Sequence, residues 1–140
     1  MNYFLAKTDP DTYSINDFIR EQETLWDGVH NFQAINAIKA MRPGDQVFIY
    51  HSQSDKAIVG LAEVAGLPFE NKDDPRTSWV VRLRLLKNYS APLSLAVIKA
   101  DLPEANNFVL VRNSRLSTMP VPDEIASWLL ERLDNEVSRS

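Results

Sequence analysis

The chain has 140 residues, of which 44% are hydrophobic and 24% are charged, and its formal net charge is −4 because 19 acidic residues outnumber 15 basic ones. This length and composition are typical of one globular domain and exclude a disordered or fibrous chain. The negative charge argues against a protein that holds nucleic acid mainly by covering phosphates with lysine and arginine, although it permits a local basic patch.

The reactive residue types are few. The chain has no cysteine and two histidines, His30 and His51. Disulfides, thiolate zinc sites and cysteine nucleophiles are therefore excluded, and no histidine spacing of a metal site occurs. The N-terminus lacks a signal-peptide pattern, and no apolar run reaches the roughly 18 residues of a membrane span. We therefore expect a cytoplasmic protein, assumed to be monomeric, without a cofactor, a metal or a membrane partner.

The N-terminal region predicts a strand followed by a helix. Residues 2–7, NYFLAK, are rich in aromatic and apolar side chains and stop at the turn-forming segment TDPD. In the next segment, SINDFIRE, Ser14 and Asp17 have the spacing of a capping box. A short helix should therefore begin after Ser14.

The segment LWDGVHNFQA, residues 25–34, could begin a catalytic site, form the wall of a binding pocket, or be a loop that leads into a helix. Asp27 and Gly28 form a turn-favouring pair. From residue 31 to residue 41, apolar residues recur every three positions, which predicts a helix with one buried stripe. The stripe consists of Phe32, Ile35, Ile38 and Met41.

The remaining segments predict further strands and helices in a mixed order. The expected elements are a hairpin over 46–52 and 57–66, a long strand over 79–89, a helix over 94–102, an extended or mixed segment over 106–121 ending in a last strand, and a helix over 122–133. Five or so strands without regular strand–helix alternation predict an α+β domain built on a small curled sheet or barrel. Residues 1–134 should form one domain, and residues 135–140 should form a frayed tail.

Catalysis finds little support in the sequence. Within the segment YHS, His51 cannot form a nucleophile–base pair with the adjacent Ser52, because neighbouring residues of a strand point to opposite faces. No G-x-S-x-G elbow is present, and the four glycines are too scattered for a phosphate-binding loop. A hydrolase is therefore disfavoured.

Several single residues allow two interpretations. Trp26 could belong to the core or stand at a pocket rim. Asn31 could cap the following helix or present its amide to a base edge, and capping is favoured. Arg112 and Arg115 could be solvated or could contact phosphates and bases. Each residue is ordinary when taken alone, so the functional prediction depends on their combination.

That combination resembles the EVE domain family. The segments AKTDPDTYSINDF, LWDGVHNFQA, GDQVFIYHS, VGLAEV and VRNSRLS occur in this order over residues 6–117. They are similar to the family pattern K-S-E-P, W-D-G-V-R-N-x-Q-A, Y-H-S and R-x-S-R-L-S. The resemblance implies a PUA-like fold, a small pseudo-barrel of about five to six mixed strands with short peripheral helices. It further implies noncatalytic binding of a modified base in DNA or RNA, of the modified cytosine or methylated adenine type.

The resemblance also implies roles for individual residues. Trp26 would stack on the base, so Trp26→Ala is expected to abolish binding and leave the fold intact. The other implied base-binding residues are Val29, Asn31, Tyr50, His51, Ser52, Trp79 and Ser114, with Trp79 either a second wall or a core residue. Backbone or polar contacts would come from Lys7, Thr8, His30, Arg112 and Arg115.

The sequence departs from the family pattern at informative places. His30 and Ile35 stand where the family usually has arginine, and Thr8 and Asp9 replace serine and glutamate in K-S-E-P. The loss of two fixed charges could weaken contacts to a nucleic-acid backbone, although a protonated His30 would recover part of the attraction. The alternatives to a base reader are a small-molecule or nucleoside sensor and a protein-interaction domain that use the same cleft, and an enzyme comes third.

Overall fold

A computed structural model of the chain describes residues 1–53 and 55–138. Over these residues the chain forms seven strands and five α-helices. The strands are β1 (Tyr3–Thr8), β2 (Glu23–Val29), β3 (Gln46–His51), β4 (Ala57–Val64), β5 (Phe69–Glu70), β6 (Trp79–Ser94) and β7 (Thr118–Val121). The helices are α1 (Ile15–Glu21), α2 (Phe32–Ala40), α3 (Leu95–Asp101), α4 (Val109–Arg112) and α5 (Asp123–Ser138), and a 3-10 turn spans Ala105–Asn107. None of the helices within the described residues is long and apolar enough to span a membrane.

The strands form one mixed sheet. Its order is β2-β6-β4-β3-β1-β7, and the two-residue β5 also pairs with β6. β1 runs parallel to β3, whereas the other strand pairs are antiparallel. Register shifts interrupt the β2–β6, β3–β4 and β4–β6 pairs, and such bulges bend and twist strands. The sheet therefore curls into a half-barrel surrounded by short helices, which confirms the predicted α+β class.

The core lies between this sheet and the helices packed on it. Phe18 of α1, Ile38 of α2 and Leu129 of α5 are fully buried, and they belong to the same hydrophobic cluster as strand residues such as Leu5 and Phe48. Burial of such side chains is worth about 1.5–3 kcal/mol each, before the loss of conformational entropy is counted. The core therefore holds the helices at fixed positions around the half-barrel.

Helix α1 begins as the sequence predicts and lies very close to the sheet. The Ser14 backbone N–H donates to Asp17 Oδ2 at 2.9 Å, and the Asp17 N–H donates to Ser14 Oγ at 3.2 Å, which is a complete capping box. A Cβ atom added to Gly60 of β4 would lie 2.7 Å from Ile15 Cδ1 and 3.0 Å from the Lys87 carbonyl oxygen. Glycine at position 60 therefore permits the close approach of α1 to β4.

The turn predicted at Asp27 and Gly28 is wrong. Residues Glu23–Val29 form β2, which pairs antiparallel with β6, and Trp26 lies opposite Val81. Asp27 and Gly28 do not form a turn between elements. The register shifts between Trp26 and Val29, and Gly28 has a φ of 75°, so this pair forms a bulge within the strand.

The predicted stripe of helix α2 is also partly wrong. Ile35, Ile38 and Met41 are buried, but Phe32 is 75% exposed. Residues three positions apart are about 300° apart around a helix, so a repeat of three drifts by roughly 60° at each step. The first residue of the stripe therefore faces away from the core that the later ones enter, and Ala34 and Ala37 complete the buried face.

Other predicted elements are confirmed with changed bounds. β3 and β4 form the expected hairpin, and Val81 and Leu83 are buried while Arg82 and Arg84 are exposed. β6 continues to Ser94, and the predicted mixed segment contains α4 before β7. The predicted tail, residues 135–140, lies at the limit of the described residues: the helical backbone of α5 is described to Ser138, and Arg139 and Ser140 lie outside. The domain boundary at residue 134 therefore stays a prediction.

Candidate functional site

A cavity of about 280 Å³ opens where the end of β1 and strand β2 face the segment before α1. We call it the aromatic cavity. It is lined by Lys7, Thr8, Thr12, Tyr13, Thr24, Leu25, Trp26 and Asp27. Aromatic, hydroxyl, cationic and anionic groups thus meet in a space near the lower limit of small-ligand pockets, about 300 Å³.

Trp26 belongs to the core and to the cavity wall at the same time. It is 8% exposed, and its ring centroid lies 6.1 Å from Tyr13, edge-on, and 6.3 Å from Phe18. These neighbours fix the ring plane, because pairs of aromatic rings prefer such tilted arrangements. The two interpretations of Trp26 are therefore compatible.

Tyr13, the aromatic residue next to Trp26 in the lining, is held in place by three hydrogen bonds in and around it. Thr8 Oγ1 donates to the Tyr13 carbonyl oxygen at 2.7 Å, and the Ile15 backbone N–H donates to His51 Nε2 at 3.1 Å. The Tyr13 hydroxyl donates to Glu21 Oε1 at 2.5 Å. Burial, followed by the hydrogen bond to Glu21, raises the pKa of Tyr13 to about 12, so the phenol stays protonated at neutral pH.

A second cavity, of about 320 Å³, also borders Lys7. We call it the lysine cavity. It is lined by Lys7, Tyr50, Ser52, Gln53, Lys56, Leu95, Leu110 and Ser114. Lys7 Nζ donates to the Ser114 carbonyl oxygen at 2.9 Å and lies 5.8 Å from the centre of the Tyr50 ring. Partial burial lowers the pKa of Lys7 because desolvation disfavours the charged form.

His51 is a buried residue that holds the start of α1 through a hydrogen bond. It is 5% exposed and pairs with Thr8 in the parallel β1–β3 ladder. Because Nε2 accepts the Ile15 N–H, the ring proton lies on Nδ1, which faces Asp55 Oδ2 at 3.3 Å. His51 therefore positions the segment that carries Tyr13.

His30, the residue that departs from the family arginine, holds a surface loop. Its Nε2 lies 2.7 Å from Asp74 Oδ2, and the same carboxylate accepts hydrogen bonds from Ser78 Oγ and the Arg76 backbone N–H, both at 2.9 Å. The Arg76 N–H bond and then the His30 bond lower the pKa of Asp74 to about 2. This network joins the end of β2 to the loop before β6.

Asn31, Val29 and Trp79 have structural contacts. Asn31 Oδ1 accepts the N–H groups of Gln33 at 2.9 Å and Ala34 at 3.2 Å, so it caps α2. Val29 pairs with Trp79, and Lys39 Nζ lies 5.1 Å from the Trp79 ring centre. Asn31 thus has the helix-capping role that was one of its two interpretations, and Trp79 packs against the core, as in the second interpretation of that residue.

The predicted site residues thus divide into groups. The aromatic cavity brings together Lys7, Thr8 and Trp26, and the lysine cavity brings together Lys7, Tyr50, Ser52 and Ser114. Over the described residues, neither cavity lining includes Val29, His30, Asn31, His51, Trp79, Arg112 or Arg115. Arg112 and Arg115 are exposed.

Six polar lining residues were not predicted from the sequence: Thr12, Tyr13, Thr24, Gln53, Asp27 and Lys56. Tyr13 lies in the segment AKTDPDTYSINDF and Asp27 lies in LWDGVHNFQA. Their presence in segments similar to the family pattern is the signal that could have identified them. From the sequence alone Asp27 resembles a turn residue, because its place in β2 depends on pairing with the distant β6. Lys56 had no signal, since its position depends on how the hairpin meets α3.

Comparison with known proteins supports the resemblance along nearly the whole chain. The model of the EVE domain matches residues 2–132. The human (Homo sapiens) thymocyte nuclear protein 1 is 28% identical over an alignment that covers 98% of this chain and 76% of the human protein. A hypothetical protein from Leishmania major has a similar structure, with a TM-score of 0.88, 27% identity, and coverage of 97% of this chain and 96% of that one.

A further solved structure adds a ligand. Human THYN1 in complex with 5-methylcytosine-containing DNA superposes with a TM-score of 0.81 at 26% identity, covering 94% of this chain and 96% of that chain. The shared architecture confirms the PUA-like fold expected from the resemblance. The four motifs, the curled mixed sheet and the family match agree, and the chain belongs to the EVE domain family.

Proposed function

We propose that this protein binds DNA or RNA that carries a modified base, of the modified cytosine or methylated adenine type, and that it does so without catalysis. The observation that carries the proposal is the aromatic cavity, in which Trp26 and Tyr13 form walls beside threonine hydroxyls, Lys7 and Asp27. A base removed from its stack needs a stacking surface and hydrogen-bonding groups for its edge. The cavity supplies both.

The aromatic walls account for the stacking contribution. Stacking of a base on an aromatic side chain is worth about 1–3 kcal/mol and requires no particular sequence. The Tyr13 and Phe18 rings hold Trp26 in place, so little side-chain entropy is lost when a base arrives. Such a pocket needs few positive charges, which agrees with the net charge of −4.

The polar lining favours a base with an exocyclic amino group. The Asp27 carboxylate lines this cavity and can accept a hydrogen bond, as a carboxylate does from the amino group of cytosine. The 5-methylcytosine DNA bound by human THYN1 supports the same class of ligand for this chain. We therefore place modified cytosine first among the candidates.

The positions of the two histidines support a noncatalytic role. The hydrogen bonds at both ring nitrogens of His51 commit this residue to the scaffold, and His30 is bonded to Asp74. A general base must lie within hydrogen-bond reach of the proton that it removes. His51 is occupied with the backbone of α1 instead.

A panel of oligonucleotides tests the proposal. Labelled strands that differ only in one cytosine, 5-methylcytosine, 5-hydroxymethylcytosine, adenine or N6-methyladenine would be titrated and followed by fluorescence anisotropy. We expect tighter binding of at least one modified strand and weaker binding as salt rises. Equal affinity for every strand would refute base reading, whereas salt-independent binding of free nucleosides alone would favour the nucleoside-sensor alternative. Mass spectrometry of the strands after incubation would reveal a converted base and so contradict the noncatalytic role.

A further inference from the structure

We propose that the lysine cavity is a phosphate-binding subsite, which takes the phosphate group next to the base held in the aromatic cavity. This inference rests on the proposed function and adds a second part to the site. Lys7 lines both cavities, so the two spaces are adjacent and share one cationic wall. A nucleotide also has two adjacent parts, a flat base and a charged phosphate.

The lining of the lysine cavity is positively charged. The chain as a whole carries −4, yet Lys7 and Lys56 both line this cavity, and the lining within the described residues contains no carboxylate. Ser52, Gln53 and Ser114 add hydrogen-bonding groups. An ammonium group has three donors, so Lys7 can bind Ser114 and still donate to a phosphate oxygen.

The backbone of Lys56 is fixed by hydrogen bonds on both of its polar groups. Its backbone N–H donates to the Gln53 carbonyl oxygen at 3.0 Å, and its carbonyl oxygen accepts the Leu95 N–H at 2.8 Å. Its φ of 43° lies in the left-handed region, which is uncommon outside glycine. Two hydrogen bonds therefore fix the backbone of Lys56 at the junction of the hairpin and α3, so its side chain starts from a defined place beside the lysine cavity.

The apolar part of the lining strengthens the attraction. Tyr50 is 3% exposed and Leu110 is 2% exposed, so the cavity has buried apolar walls near the half-buried Lys7, whereas Lys56 is exposed. Charge–charge attraction grows as water is displaced from such a space. A phosphate bound here would therefore interact more strongly with Lys7 than with a lysine on an open surface, and Lys56 would add a second, exposed cation.

The experiment compares ligands with and without phosphate. The full chain would be titrated by NMR or calorimetry with 5-methyl-2′-deoxycytidine, with its 5′- and 3′-monophosphates, and with inorganic phosphate. The test variant is Lys56→Asn, because asparagine tolerates the left-handed region. Lys56→Arg retains the charge, and Lys72→Asn removes an exposed lysine from another loop as the matched control. Thermal unfolding of each variant verifies that the fold is kept.

We expect one monophosphate to bind more tightly than the nucleoside, and Lys56→Asn to weaken that monophosphate about tenfold while leaving the nucleoside unchanged. Lys56→Arg should restore most of the affinity, and Lys72→Asn should behave as the parent. For a single-stranded oligonucleotide, Lys56→Asn should also lower the slope of log affinity against log salt by about 0.7.

Equal weakening of nucleoside and monophosphate, or no effect of Lys56→Asn on either, would overturn the subsite. Binding of inorganic phosphate without any monophosphate preference would also overturn it, since the cavity would then be a free-phosphate site. Failure of the proposed function looks different. If modified and unmodified monophosphates bind equally but still depend on Lys56, base reading fails and the phosphate subsite stands.

Discussion

His51 Nε2 accepts the backbone N–H of Ile15 at 3.1 Å, and this bond ties the start of α1 to β3. Substitution His51→Phe would keep a ring of similar bulk but leave the Ile15 N–H without its acceptor. We expect a loss of about 1–3 kcal/mol in the free energy of unfolding, and weaker oligonucleotide binding because Tyr13 would lose its support. Urea denaturation and anisotropy titration measure the two effects.

Asp55→Asn is the control for this prediction. Asp55 lies on the other ring nitrogen of His51, but its side chain is 62% exposed, so the change should cost less than about 1 kcal/mol. Equal destabilisation by both variants would contradict the assigned importance of the Ile15 bond.

Because Trp26 is buried, Trp26→Phe tests its role more clearly than the Trp26→Ala substitution expected from the sequence. Trp26→Ala would open a hole beside Phe18 and Tyr13 and cost about 3–5 kcal/mol of stability, so loss of binding in that variant would be ambiguous. Trp26→Phe keeps most of the volume and reduces the stacking surface. We expect a folded protein whose affinity for the modified strand falls about five- to tenfold. An unaltered affinity, measured by anisotropy with unfolding monitored in parallel, would remove Trp26 from the base pocket.

Asp27 is predicted to select the base edge. Asp27→Asn replaces an acceptor-only carboxylate with an amide that also donates. The preference for a cytosine-type strand over the matched thymine strand should shrink by about 1–3 kcal/mol. Competition titration of the two strands measures this difference. Asp11→Asn removes an exposed carboxylate that does not line the aromatic cavity, and it should retain the preference.

Asn31 distinguishes capping from base recognition. Asn31→Ala removes the oxygen that caps α2 and should cost about 0.5–2 kcal/mol of stability, whereas Asn31→Asp retains a capping oxygen and should stay close to the parent. Both variants should bind the modified strand with parental affinity. A selective loss of affinity in a stable Asn31→Asp protein would instead support the role implied by the family resemblance.

The lowered pKa of Asp74 predicts that the free energy of unfolding decreases in acid. Its pKa in the folded protein is lowered to about 2 from an ordinary value of 3.8, so its stabilising effect is complete above pH 3.8 and is lost as the pH falls towards 2. We expect the free energy of unfolding to fall more steeply in this window for the parent than for Asp74→Asn. Denaturant melts at a series of pH values check this, with the neighbouring exposed Asp73→Asn as control. Parallel curves for parent and Asp74→Asn would show that the His30–Asp74 network does not stabilise the fold.

Local sequence patterns determined those features that depend on near neighbours. The capping box of Ser14 and Asp17, the β3–β4 hairpin and the alternation along β6 follow from contacts or periodicities that a short window contains. The motif order was enough to predict the family and its curled sheet. The strand β2 escaped prediction because Asp27 and Gly28, which favour turns in isolation, form a bulge once β6 lies alongside.

Tertiary structure alone decided how the site is assembled. Lys7 and Ser114 are 107 positions apart, yet a 2.9 Å hydrogen bond joins them, and Lys56 reaches the same cavity through the contact between the hairpin and α3. His51 and Ser52 are adjacent in YHS, but His51 is buried and bonded to the start of α1 while Ser52 lines the lysine cavity, because successive residues of an extended chain face opposite sides. The sequence determines which residue types are available for the site. Which of their side chains share a cavity is determined by the pairing of strands that lie far apart in the sequence.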